Sequence, residues 1–134
     1  MLYDHRKYQL NSLRLGFITN DRLYNKISIF FNCASQSLNI DKIQEYNRLF
    51  ETGLYNLVLL PLNLNGCEPG DNYDIYQHYE NNLGVKFSVC EKIVTDHAFF
   101  KDFTEPTENF TNYIFDKKLK FIKKTNNLKE ITDV

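Results

Sequence analysis

The clearest feature of the chain is a β-branched and aromatic run, Lys26-Ile-Ser-Ile-Phe-Phe-Asn-Cys33. A run of that kind predicts a buried strand. Ser35 to Asn39 then offers several side chains suited to capping a helix. From Ile40 the apolar positions Ile43, Tyr46, Leu49 and Phe50 recur at helical spacing, and Gly53 is placed to end that helix. Tyr55-Asn-Leu-Val-Leu-Leu-Pro61 is nearly all apolar, the pattern of a central parallel strand covered on both faces.

Beyond it the signals shorten. Leu62 to Gly70 carries Asn, Gly and Pro and reads as a loop. Asp71 or Asn72 caps a second helix with Ile75, Tyr79 and Leu83 as its buried stripe, closed by Gly84. Val85-Lys-Phe-Ser-Val89 alternates like a strand, and His97 to Phe103 reads as a short helix. Phe110 to Phe115 and Leu119 to Lys123 form a hairpin about the polar turn Asp116-Lys-Lys118. Strand, helix, strand, helix and hairpin imply right-handed crossovers and a mixed sheet. The class is α/β with helices on both faces, and residues 1–134 form one domain.

Composition narrows function more than fold. The formal charge is −1 with acids and bases interspersed, which argues against nucleic acid as a partner. The basic stretch Lys117 to Lys124 reads as a solvated strand edge. No stretch approaches transmembrane length and no secretory pattern opens the chain, so the expectation is a cytoplasmic protein with no membrane insertion. Cys33, Cys67 and Cys90 are widely spaced and form no C-x-x-C pair; free thiols in a reducing compartment are expected. His5, His78 and His97 lack metal-ligand spacing, so no metal or cofactor is expected. Asn, Ile, Lys, Tyr and Phe are abundant, the profile of AT-rich codons, which makes drift an explanation for lost functional residues.

Five blocks carry a resemblance. Asn32-Cys-Ala-Ser-Gln-Ser37 is similar to the signature Asn-Val-Ala-Ser-x-Cys/Sec-Gly. Leu60-Pro-Leu-Asn-Leu-Asn-Gly-Cys-Glu-Pro-Gly70 is similar to Phe-Pro-Cys-Asn-Gln-Phe-Gly-Gly-Gln-Glu-Pro-Gly with one residue deleted. Val85 to Ile93, His97 to Lys101 and Glu108 to Asp116 are similar to three later blocks of the same family. In that order and register they resemble the glutathione peroxidases. The resemblance implies a thioredoxin-like fold, and four active-site groups: a Cys or Sec nucleophile, a Gln, a Trp and an Asn. Those positions fall on Ser37, on Leu64 (or Asn63 if the deletion is placed differently), on Glu108 and on Asn109. Only Asn109 is retained, and the chain has no Trp. Thr125 to Val134 leaves room for little of the family's last helix, so uncovered apolar surface is expected there.

Those replacements remove the family chemistry. Peroxide reduction uses a thiolate, from a group with an unperturbed pKa of ~8.5, which attacks the O–O bond and becomes a sulfenic acid. A serine hydroxyl has neither that ionisation nor a sulfenic state. Losing the Trp and Gln donors removes further stabilisation of developing charge, roughly 3 kcal/mol for one donor. The leading expectation is therefore a homologue that does not reduce peroxide by the usual route. The alternatives are a weak thiol-dependent hydroperoxide reductase of the oxidative-stress response that uses Cys67 as a displaced nucleophile, and a non-catalytic binding module. A hydroperoxide and a thiol reductant, glutathione or thioredoxin, are partners only if the chain is active. Cys33 and Cys90 read as core. His97 reads as a helix cap, and no G-x-S-x-G elbow accompanies Ser37, so a serine hydrolase is not indicated.

Overall fold

The computed structural model describes residues 1–34, 40–64, 68 and 70–131. The amino-terminal segment holds α1 (His5–Tyr8), a hairpin of β1 (Asn11–Ser12) and β2 (Gly16–Phe17), and α2 (Asn20–Leu23). The two apolar runs follow as β3 (Ile27–Cys33) and β4 (Tyr55–Pro61), joined through α3 (Ile40–Glu51). Next come α4 (Asn72–Tyr76), β5 (Ser88–Val89), α5 (Ala98–Phe103), β6 (Asn112–Phe115) and β7 (Phe121–Thr125). The sheet order is β5-β4-β3-β6-β7. β5, β4 and β3 run parallel, and β6 and β7 add antiparallel to the other edge.

Because side chains alternate across a strand, β3 and β4 feed two cores. Phe30, Val58 and Leu60 face Tyr3, Tyr8 and the α5 residues Phe99, Phe100 and Phe103. Ile29, Phe31, Leu57 and Leu59 face Ile43 and Tyr46 of α3 together with Ile75 and Tyr79. Both faces are covered, which is why the two runs are mostly apolar.

Four expectations change in detail. The segment before Lys26, silent in the periodicity, builds a wall of the first core through Tyr3, Tyr8, Leu10, Ile18 and Leu23. Of Val85–Val89 only Ser88 and Val89 pair with β4, because the Val85 amide donates to the Tyr79 carbonyl and the Lys86 amide to Asn47 Oδ1. The hairpin is longer at the turn: Phe115 pairs with Phe121, and Asp116 Oδ1 accepts from the amides of Lys118 and Lys120. Finally, α4 runs on as a π-helical turn over Gln77–Asn82. Its cap is Asp71, in a reciprocal capping box with Asp74.

The carboxyl-terminal stretch is not idle. A 3₁₀ turn at Leu128–Glu130 delivers Ile131, fully buried, into the second core. This corrects the expectation of a bare apolar face there, at least over the surface that Ile131 and Leu128 cover.

Candidate site at the carboxyl end of strand β3

The described positions of interest, Leu64, Glu108 and Asn109, lie near the ends of β3 and β4. Ser37, Cys67 and the proposed helix caps Ser35 to Asn39 lie outside the described residues. What is described is the frame around them.

Asn32 joins two chain segments far apart in sequence. Its Nδ2 donates to the Glu108 carbonyl at 3.1 Å, and its Oδ1 accepts from the Thr111 amide at 3.0 Å. The Phe110 amide donates to the Asn32 carbonyl at 2.8 Å, with Phe110 held at φ +61°. Asn32 is fully buried, and without its side chain the buried Thr111 amide would lose its acceptor. These bonds anchor Glu108 and Asn109 beside the end of β3.

Glu108 itself points to solvent. Its backbone carbonyl does the anchoring, and also accepts from Thr111 Oγ1 at 2.9 Å. Asn109 is half-buried, with its side-chain oxygen enclosed. Leu64 packs against the core on the α5 side of the sheet. Its amide closes a tight turn onto the Leu62 carbonyl. The described positions thus present a carboxylate and an aliphatic chain where the resemblance calls for an indole and an amide.

A buried polar chain runs beneath the same end of the sheet. The Tyr79 hydroxyl lies 3.3 Å from Cys33 Sγ and 3.5 Å from Glu68 Oε2. All three side chains are buried, and Glu68 is only 1% exposed. A phenol carries one proton, so it can donate to one of these neighbours while accepting from the other. Burial pushes the Cys33 thiol up to about 12, outweighing the opposing hydrogen bond from Tyr79; the Glu68 carboxylate raises it further. A protonated thiol is then able to donate into the chain toward Glu68. Burial also pushes the Tyr79 phenol well above its ordinary value. Alongside, the Tyr46 hydroxyl donates to Asn112 Oδ1, and Asn112 Nδ2 donates to the Thr125 carbonyl.

The described residues of the stretch from Leu62 to Gly70 are held by ordinary forces. Asn63 Oδ1 accepts from the Glu68 amide at 2.9 Å. A Cβ on Gly70 would meet the Asp74 Cβ at 2.9 Å, so the capping box leaves no room for another side chain there. Asn63, Glu68 and Gly70 therefore have structural reasons to be present. Cys90 is fully buried with its thiol raised by burial. His97 caps α5 by accepting from the Phe99 amide at 3.0 Å.

The sequence places Tyr79 on a buried stripe, as observed, but gives no sign of its hydroxyl's contacts or of the burial of Glu68. Tyr79 sits on the apolar stripe of its helix, where its ring counts as core and its hydroxyl gives no periodic signal. Glu68 lies in a polar loop, where an acid ordinarily faces water.

This frame has clear likenesses among solved structures. A thiol-disulfide isomerase from Corynebacterium glutamicum superposes with TM-score 0.64 at 12% identity, covering 93% of this chain and 84% of that one. The fold is thioredoxin-like. StoA from Bacillus subtilis matches at TM-score 0.60 and 12% identity, over 87% of this chain and 84% of the other. A secreted disulfide oxidoreductase of Mycobacterium tuberculosis matches at TM-score 0.63 and 9% identity, over 93% and 87%. No protein-family model and no curated protein matches the sequence. At these identities the likeness is one of fold, and fold alone does not carry function.

Proposed function

We propose that this chain is a degenerate relative of the glutathione peroxidases that keeps the thioredoxin-like scaffold, has lost peroxide reduction by the usual route, and serves a non-catalytic role. The observation that carries the reading is the state of Cys33, the thiol nearest in sequence to the family's nucleophile position. Cys33 is fully buried and its ionisation is pushed up to about 12, so it is a packing group and not a nucleophile. Ser37 occupies the nucleophile position in the sequence, and Leu64 and Glu108 replace the two donors that would assist it. The Asn32 bonds and the close fit of Gly70 against Asp74 support a scaffold preserved for its shape.

A second reading keeps thiol chemistry at Cys67. One observation favours it: the adjacent Glu68 is anchored through both its amide and its buried carboxylate, which fixes one neighbour of that cysteine. Consumption of hydrogen peroxide and of a lipid hydroperoxide, supplied with glutathione or thioredoxin, separates the two. The leading reading expects no turnover by the wild type. Turnover that disappears in Cys67→Ser would transfer the function to the second reading. Gain of activity in Ser37→Cys would show that the scaffold still supports the chemistry.

A further inference from the structure

At the opposite end of the sheet lies a cavity that the peroxidase reading does not use. β4 is seven residues long, but β5 pairs only with Val58 and Leu59. On its β5 side the first half of β4 is therefore unpaired, while β3 pairs along its other edge, and the cavity opens at that free edge with a volume of about 230 Å³. Lys26 immediately precedes β3, whereas Cys33 ends it; at about 3.3 Å per residue the two ends lie on the order of 20 Å apart.

The lining is divided by exposure. Ile18, Leu23, Leu57 and Val58 are buried and form an apolar floor. Arg22, Lys26 and Lys86 are exposed and stand at the rim. Every charged residue on the lining is basic, in a chain whose acids outnumber its bases by 17 to 16. The Arg22 guanidinium is held in place, with Nη1 donating to the Phe17 carbonyl at 2.9 Å. Lys86 meets Glu51 at 3.3 Å, but both partners are exposed and such a pair is easily exchanged. Lys26 makes no ion pair among the described residues. Ser88, half-buried, is also on the lining.

We propose that this cavity binds a small amphipathic anion, a medium-chain carboxylate, with its alkyl chain on the apolar floor and its head group at Lys26, Arg22 and Lys86. An apolar pocket with a few convergent polar groups is the usual form of a small-ligand site, and this one is smaller than the ~300 Å³ at which such pockets commonly begin. The size excludes a long-chain acid. The charge selects an acid over an alcohol. The site stands independently of the chemistry at residue 37 and gives the scaffold a task that needs no nucleophile.

The test is a titration of the full chain followed by amide NMR, with sodium octanoate, octanol, inorganic phosphate and phosphatidylglycerol vesicles as separate probes. Octanoate is expected to shift the amides of Ile18, Leu57, Val58 and Ser88, with octanol and phosphate each much weaker. The double variant Lys26→Gln, Lys86→Gln changes only exposed side chains and should weaken octanoate about tenfold or more. Equal shifts from octanoate and octanol, an undiminished affinity in the double variant, or shifts scattered away from the cavity would overturn the proposal. Binding to vesicles without binding to octanoate would likewise overturn it, in favour of a lipid surface.

Discussion

The Tyr79 hydroxyl stands 3.3 Å from the Cys33 sulfur, and both groups are sealed beneath the end of β3. The pair is reached from two sides of the chain, by the apolar run of β3 and by the π-helical turn that follows α4. With the thiol pushed up to about 12 by burial, Cys33 stays protonated across the physiological range. It should resist a thiol reagent at pH 8 in the native protein and react promptly in denaturant. Quantitative native labelling of Cys33 would contradict the burial on which the site reading depends.

Removing the Tyr79 hydroxyl separates packing from hydrogen bonding. Tyr79→Phe keeps the ring and removes one hydrogen bond from each of Cys33 and Glu68, so a loss of about 1 kcal/mol in unfolding free energy is expected. Denaturant unfolding checks it, and a neutral result would mean that the polar chain is dispensable.

Asn32→Ala should cost about 1–3 kcal/mol, because it takes the acceptor from the buried Thr111 amide and one of two donors from the Glu108 carbonyl. Hydrogen exchange gives the sharper readout. Protection at Thr111 should fall selectively, with the far end of β6 less affected.

Phe99 is the hub of the first core, with ring contacts to Tyr8, Phe30, Phe100, Phe103, Tyr113 and Phe115. Phe99→Ala is expected to cost about 3–5 kcal/mol. That is a large share of the stability of a small domain, so loss of soluble protein at 37 °C is the expected phenotype.

His97 gives the fold a pH dependence with a definite sign. Burial holds its pKa below the ordinary 6.5, outweighing the opposing charge of Asp96. The unfolded chain therefore binds the proton more readily, and stability falls as pH drops through 6.5 toward the folded value. Protonation also removes the lone pair with which Nδ1 accepts from the Phe99 amide. Unfolding measured at pH 7.5 and pH 5.5 should show a loss in the wild type that shrinks in His97→Ser, a cap that does not titrate. Equal losses in both would exclude His97 as the cause.

Much of the architecture was legible because burial on both faces leaves a plain mark. β3 and β4 read directly as apolar runs, and the stripe of α3 placed Ile43 and Tyr46 in the core as observed. The amino-terminal wall was not legible. Tyr8 and Leu23 lie on helices of four residues, and Tyr3, Leu10 and Ile18 lie outside the helices and strands, so no period has room to repeat. β5 was overcalled because alternation in Val85–Val89 reports which way side chains face, and not where the amides of Val85 and Lys86 bond. At the candidate site, the identities of Leu64, Glu108 and Asn109 were readable, but the part of Asn32 in tying the strand end to them was not. That tie depends on a long-range pairing of side chain with backbone, which spacing along the chain does not encode.

The central claim is that peroxide meets no activated thiol in this protein. The most direct measurement is a single exposure of the reduced wild type to hydrogen peroxide, with sulfenic acid trapped and located by mass spectrometry, and with glutathione as the unactivated thiol for comparison. The account predicts that Cys33 and Cys90 stay reduced and that Cys67 oxidises no faster than glutathione. Rapid sulfenic acid formation at Cys67, well ahead of glutathione, would contradict it and identify a displaced peroxidatic centre.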